Sequence, residues 1–219
     1  MIDRNHPTEA REAIVASGCS LFDRGLASGS SGNISVLLGD GTMLVTPTNI
    51  GLGQLMPERI SLIGAGGERI DGDPPSKEAF LHRAIYAARP TARAIVHLHS
   101  SYSAAVSCMD GLSADACLPP LTAYFAMKVG RLPLIEYHRP GDPHLVPRIQ
   151  ELAPKYRALL LANHGPIVAG TSLPDALNAI EELEETAKLF LLLRGSATRP
   201  LDAEQIAELE AAFGPPGGA

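Results

Sequence analysis

Between Thr8 and Leu26, apolar residues recur at helical spacing, with Ala10, Ala13, Ile14, Leu21 and Phe22 on one side, which predicts an opening helix that ends at Gly25. Alternation then takes over: Ile34-Ser35-Val36-Leu37 and Met43-Leu44-Val45-Thr46 flank Gly39-Asp40-Gly41 as a hairpin would. Short strands are expected over residues 60–63 and 68–70. From Lys77 to Ala88, Phe80, Leu81, Ala84 and Ile85 share one helical side, and Arg89-Pro90 closes the run. The apolar stretch Ala94-Ile95-Val96-His97-Leu98-His99 reads as a strand. Beyond it the pattern predicts helices over residues 101–108, 122–129, 144–152, 174–193 and 203–213, with strands over 132–135, 158–162 and 167–169. Many strands follow one another through turns too short for a crossover helix, so the expected class is α/β, with a mixed or antiparallel sheet covered by helices. The closing Gly214-Pro215-Pro216-Gly217-Gly218-Ala219 is expected to fray.

Composition adds bounds. A chain of 219 residues fits one domain spanning 1–219, with its core over about 8–194 and a C-terminal helix and tail over 203–219. Such a length buries roughly 70% of the unfolded surface without disulfide staples. No stretch approaches the roughly 20 apolar residues of a membrane span, so no membrane is expected as a partner. The start, Met1 to Pro7, lacks a signal-like apolar core, and Cys19, Cys108 and Cys117 form no Cys-x-x-Cys pair, so a cytoplasmic location is expected. A net charge of −6 argues against a broad nucleic-acid surface, which needs excess Lys and Arg.

The candidate chemistry begins with His97 and His99. Side chains alternate along a strand, so these two point the same way about 6–7 Å apart, a spacing that suits two ligands on one divalent ion. A third imidazole, His164, stands in Leu161-Ala162-Asn163-His164-Gly165. Three neutral imidazoles leave one metal position open for water or substrate. On spacing alone, an ordinary structural role for these histidines carries equal weight.

Other signals are individually weak. Ser30-Ser31-Gly32-Asn33 and Thr46-Pro47-Thr48-Asn49 offer hydroxyls, amides and backbone N–H groups to an anion, yet each also reads as plain turn chemistry. Ser76 can cap a helix begun by Lys77 and Glu78, where the helix dipole and a lysine together attract an anion. Glu181, Glu182, Glu184, Glu185 and Lys188 read as a solvated or interface face of one helix. Arg139, in Arg139-Pro140-Gly141-Asp142, reads first as part of a rigid turn and second as a carboxylate ligand.

Taken in order, Ser-Gly-Asn-Ile-Ser (31–35), Thr-Pro-Thr (46–48), Pro-Ser-Lys-Glu (75–78), His-Leu-His (97–99) and Asn-His-Gly (163–165) resemble the class II aldolase/adducin family over roughly residues 8–194. The resemblance implies an α/β/α sandwich with a central, mainly antiparallel sheet, assembled as a homotetramer with sites at subunit interfaces. It implies that His97, His99 and His164 hold Zn2+, or Mn2+ or Co2+ in its place, and that Glu78 moves the proton and can itself ligate the ion. It assigns Ser30, Ser31, Asn33, Thr48, Asn49, Ser76 and Lys77 to phosphate and substrate, and it matches Tyr124 loosely to a tyrosine supplied by a neighbouring subunit. The sequence departs from the family's aldolases at Asn49, where they commonly carry glycine, and at Lys77, where they carry serine. Ser-Lys-Glu, Tyr-Phe-Ala-Met-Lys-Val-Gly (124–130), Tyr-His-Arg-Pro-Gly-Asp (137–142) and Glu-Glu-Leu-Glu-Glu-Thr-Ala-Lys (181–188) are similar to the branch that decarboxylates 3-oxo-tetronate 4-phosphate. That branch implies a phosphorylated keto acid as partner and loss of CO2 through an enediolate, with Lys77 or Arg139 orienting the carboxylate. The alternatives are a sugar-phosphate aldolase of the L-fuculose type, a pentulose-phosphate 4-epimerase and a non-enzymatic adducin-like interaction domain.

Overall fold

A computed structural model describes residues 7–217. Residues 1–6, where no signal segment is expected, and the last two residues of the expected tail lie outside it. Eight strands form one sheet in the order β4-β3-β2-β1-β5-β8-β7-β6. They are β1 (Asn33–Leu37), β2 (Met43–Val45), β3 (Ser61–Ile63), β4 (Arg69–Asp71), β5 (Ala94–His97), β6 (Leu134–Ile135), β7 (Ala158–Leu161) and β8 (Gly165–Gly170). Every pairing is antiparallel except β6 with β7, whose connection carries a helix. The mainly antiparallel sheet therefore stands as expected.

Period-two alternation sorts each strand between two cores. Ile34, Leu44, Ala94, Val96, Leu98, Leu160 and Val168 face one, shared with α1 (Pro7–Asp23), α3 (Ser101–Ser107), α4 (Ala123–Lys128) and α6 (Leu173–Leu192). Met43, Val45, Ile95, Leu159, Leu161, Ile167 and Ala169 face the other, shared with α2 (Ala79–Ala88) and α5 (Val146–Leu152). Helices on both faces of one sheet give the α/β/α sandwich.

The first helix stops where a Schellman turn satisfies its last carbonyls. Gly25 N–H donates to Phe22 O (2.9 Å) and Leu26 N–H to Leu21 O (2.9 Å), with Gly25 at φ +73°. Three expectations are corrected. The helix expected from Lys77 starts at Ala79, because Lys77 and Glu78 are held in a turn in which Ala79 N–H donates to Ser76 O (3.0 Å). The strand expected through His99 ends at His97, the last residue in register with β8; Leu98 N–H still donates to Pro166 O (3.2 Å), and its side chain faces the α1/α6 core. The tail does not fray over 214–217: following α7 (Ala203–Phe213), Pro215 and Pro216 line a cavity of about 520 Å³ with Phe125, Val129 and Ile206. Among the described residues, no helix is long and apolar enough to cross a membrane.

Candidate metal centre and active site

The site grows from one register pair. Asn33 opens β1 directly opposite His97, the last residue of β5, and parity puts both on the α2 side of the sheet. His99, two residues on, keeps the same side because Leu98 between them is turned into the opposite core. Glu78 stands at the N-cap of α2 and reaches the same point. The fourth member comes from the β7–β8 turn, where Asn163 takes a left-handed conformation (φ +55°) and His164 N–H donates to Leu161 O (3.2 Å) and Ser107 Oγ (3.1 Å). Gly165 is required there, since a Cβ would lie 2.3 Å from Leu98 O.

These residues converge tightly. His97 Nε2 lies 3.0 Å from His99 Nε2 and 3.3 Å from His164 Nε2, and the last two are 2.9 Å apart. Glu78 Oε2 is 3.3 Å from His97 Nε2, and its Oε1 is 3.4 Å from His164 Nε2. Nitrogens bound tetrahedrally at about 2.0–2.1 Å from zinc stand roughly 3.3 Å from one another, so the donor set fits one small divalent ion. Ring orientation agrees. A carbonyl only accepts, so His97 Nδ1 donates to Pro166 O (2.8 Å) and leaves its Nε2 lone pair facing the common point.

Electrostatics favour that reading. Burial, reinforced by the neighbouring imidazoles, pushes His99 down to about 3 and His164 to about 4, so both are neutral and ready to ligate at neutral pH. Burial alone would raise the Glu78 carboxyl. The imidazoles of His97 and His164 and the Asn33 hydrogen bond outweigh it, and the group sits below its usual range as a carboxylate.

Three supporting arrangements were not anticipated from sequence. Asn33 Nδ2 donates to Glu78 Oε2 (2.8 Å), a contact with the carboxylate beyond the phosphate role expected of it. Glu184 is buried, with its two oxygens accepting the Tyr102 and Ser103 backbone N–H groups at 2.8 Å each. It caps α3, the helix that starts just after His99 and ends on the Ser107 that anchors His164, so the expectation of a solvated face fails at this position. Beneath the site, buried His82 on α2 places Nδ1 2.7 Å from Ser35 Oγ, which lies 2.8 Å from the Tyr86 hydroxyl. Burial, with His97 nearby, pushes His82 down to about 3.

The remaining candidates are placed as follows. Thr48 N–H donates to Pro74 O (2.9 Å) and Ser76 N–H to Thr46 O (3.1 Å), which zips the Thr46–Asn49 loop to the Ser76 turn. Asn49 sits at φ +61°, the region glycine enters freely and asparagine enters at least cost, so it preserves the backbone shape of the glycine it replaces. Ser76 Oγ accepts from Glu78 N–H (3.3 Å), and Ser31 Oγ donates to Ser28 O (2.6 Å). Ser30 and Lys77 are exposed. Arg139 joins Glu78 and His164 around a small cleft, together with His138, which no spacing or periodicity in the sequence marks as a site residue. Tyr124 is exposed on α4, which packs on α6 and α7, away from the helix that carries Glu78.

A three-layer sandwich with three imidazoles and one carboxylate at the ends of the central strands of its mainly antiparallel sheet is the arrangement of a class II aldolase-type centre. The sequence profile of the Class II Aldolase and Adducin N-terminal domain matches residues 12–191, and the chain belongs to that family. It is 50% identical over 200 residues to the 3-oxo-tetronate 4-phosphate decarboxylase of Pectobacterium atrosepticum, covering 91% of this chain and 92% of that protein. It is 49% identical over 199 residues to the enzyme of the same name from Escherichia coli K12, covering 91% and 94%. The crystal structure of YgbL from Klebsiella pneumoniae superposes with a TM-score of 0.90 at 49% identity, covering 93% of this chain and 98% of that one.

Proposed function

We propose that this protein is a metal-dependent carboxy-lyase that converts 3-oxo-tetronate 4-phosphate to dihydroxyacetone phosphate and CO2. The observation that carries the proposal is the complete donor set, Glu78 with His97, His99 and His164, in a chain half identical to enzymes of that name. Zinc suits three imidazoles, and manganese or cobalt fits the same geometry. When bound, the ion supplies Lewis-acid polarisation of the substrate carbonyl.

The protein's own groups do the rest. Ser30, Ser31, Asn33, Thr48, Asn49 and Ser76 receive the phosphate, the Thr48 and Ser76 segments held together by their backbone bonds, with Lys77 beside them as the added cation. As CO2 leaves, the C1–C2 electron pair becomes the C2–C3 π bond and the C3 carbonyl oxygen takes up the negative charge. Glu78, held as a carboxylate by Asn33 and the imidazoles, then orients a water that gives its proton to C2 as the C3 carbonyl re-forms, leaving hydroxide. Arg139, which lines the small cleft with Glu78 and His164, orients the carboxylate. We further propose a single domain over 1–219, acting in the cytoplasm as a homotetramer in which Tyr124 approaches the site of a neighbouring subunit.

An aldolase uses the same site to break a carbon–carbon bond to an aldehyde, so the direct assay compares the two. CO2 release from both C2 stereoisomers of 3-oxo-tetronate 4-phosphate, before and after chelation, is measured against cleavage of fuculose 1-phosphate. Chelator-sensitive CO2 release from one isomer supports the proposal; cleavage without CO2 release overturns it.

A further inference from the structure

The loop 137–142 was singled out in the sequence, and neither the metal centre nor the phosphate loops use it. It folds back over the site. Asp142 Oδ1 accepts from His144 N–H (3.1 Å) and lies 2.8 Å from His144 Nδ1, pinning the loop to the 3-10 turn Pro143–Leu145. His138, Arg139, Pro140 and Gly141 thereby line a cleft shared with Glu78 and His164. Its volume, about 10 Å³, is room for roughly one water-sized group. A buried polar atom without a partner costs free energy unless a ligand or water completes it, and His138 Nε2 is such an atom. Glu136 Oε1 at 3.8 Å and Asp142 Oδ2 at 3.9 Å from the ring nitrogens are both beyond hydrogen-bonding distance.

We infer that His138 is a specificity-determining residue that donates a hydrogen bond from Nε2 to the C1 carboxylate of the substrate, an inference that rests on the decarboxylase reading above. The cleft has room for one carboxylate oxygen beside Glu78 and His164. One N–H donor beside Arg139, which lines the same cleft, fixes the direction of the carboxylate without adding a further ion pair that would stabilise the ground state against loss of CO2. Orientation matters because the C1–C2 electron pair enters the carbonyl π system only when that bond stands perpendicular to the carbonyl plane.

The test uses the zinc-loaded enzyme, its His138→Ala and His138→Gln variants, and two unreactive probes. One is the tetronate 4-phosphate with an alcohol at C3; the other is the matching tetritol 4-phosphate, with CH2OH in place of the carboxylate. Calorimetric titration is expected to show His138→Ala weakening the acid probe by about tenfold or more, the loss of one hydrogen bond to a charged group. The tetritol probe should stay within about twofold, and His138→Gln, which keeps an N–H donor, should recover part of the loss. Equal loss on both probes, or none on either, overturns the role of His138 while wild-type CO2 release leaves the decarboxylase reading standing. A wild-type enzyme that binds zinc and releases no CO2 overturns both.

Discussion

Asn33 Nδ2 and Glu78 Oε2 are joined at 2.8 Å, so the strand residue opposite His97 in register also fixes the carboxylate. Glu78 otherwise sits in a turn without a side-chain cap of its own. Removing the amide frees the carboxylate to rotate and lets burial push its pKa up. Asn33→Ala should lose roughly 10–100-fold in activity or metal affinity, the usual effect of removing a group that orients a ligand. Asn33→Asp should be worse than Asn33→Ala, since two carboxylates would then share one buried spot. Metal titration of both variants checks the order.

Glu184 acts at a distance from the chemistry. Its two oxygens hold the first N–H groups of α3, whose ends adjoin His99 and the turn of His164. A charge-assisted cap is worth about 1–2 kcal/mol. Glu184→Ala should therefore lower the melting temperature by roughly 2–8 °C. Glu184→Gln keeps one acceptor and turns a donor toward the second N–H, so it should fall between the two. A variant that melts with the wild type would remove the capping argument.

The sheet and its order-setting hairpin were legible because they rest on short-range rules, alternation in strands and turn chemistry; His97 and His99 were legible as a pair on one strand face, whereas Glu78 and the weight given to His164 came with the family resemblance. What was not legible depends on contacts between distant segments. Glu184 belongs to an i,i+4 charge pattern that is normally solvated, and only the packing of α3 on α6 buries it. Asn33 looked like a loop amide because its neighbours are Ser and Gly, yet its register with His97 turns it toward Glu78. His138 carries no local periodicity at all. The start of α2 was misplaced by two residues because Ser76 holds a turn there that leaves Lys77 and Glu78 outside the helix.

His82 predicts a pH dependence of stability. Its folded-state pKa is about 3, against an ordinary 6.5, so the native protein resists a proton that the unfolded chain accepts. Stability from this group is full above about 6.5 and declines as the pH falls toward 3, at roughly 1.4 kcal/mol per pH unit in that window. Denaturant unfolding of the metal-free protein at pH 7, 6, 5 and 4 should show the decline. His82→Leu should have a shallower slope by about one proton, even if it is less stable at pH 7 through loss of the Ser35 contact. Equal slopes would show that His82 is not the group responsible.

Metal removal should separate structure from activity. The donors are carried by β5 and its extension, by the turn before α2 and by the β7–β8 turn, and three of the four are held by hydrogen bonds within the protein. His97 is anchored on Pro166 O, His164 on Ser107 and Leu161, and Glu78 on Asn33. The fold thus holds the site without the ion, and chelation should abolish activity while leaving the circular dichroism spectrum unchanged. Binding the native state alone still adds stability, about 4 kcal/mol at a free metal concentration 1,000 times Kd, so the melting temperature should rise with added zinc. His99→Ala should lose this zinc-dependent rise without losing the apo fold, because its ring makes no backbone hydrogen bond comparable to that of His97 and its removal relieves a crowded trio of imidazoles. A His99→Ala protein whose melting point still climbs with zinc to the same extent would place the ion elsewhere.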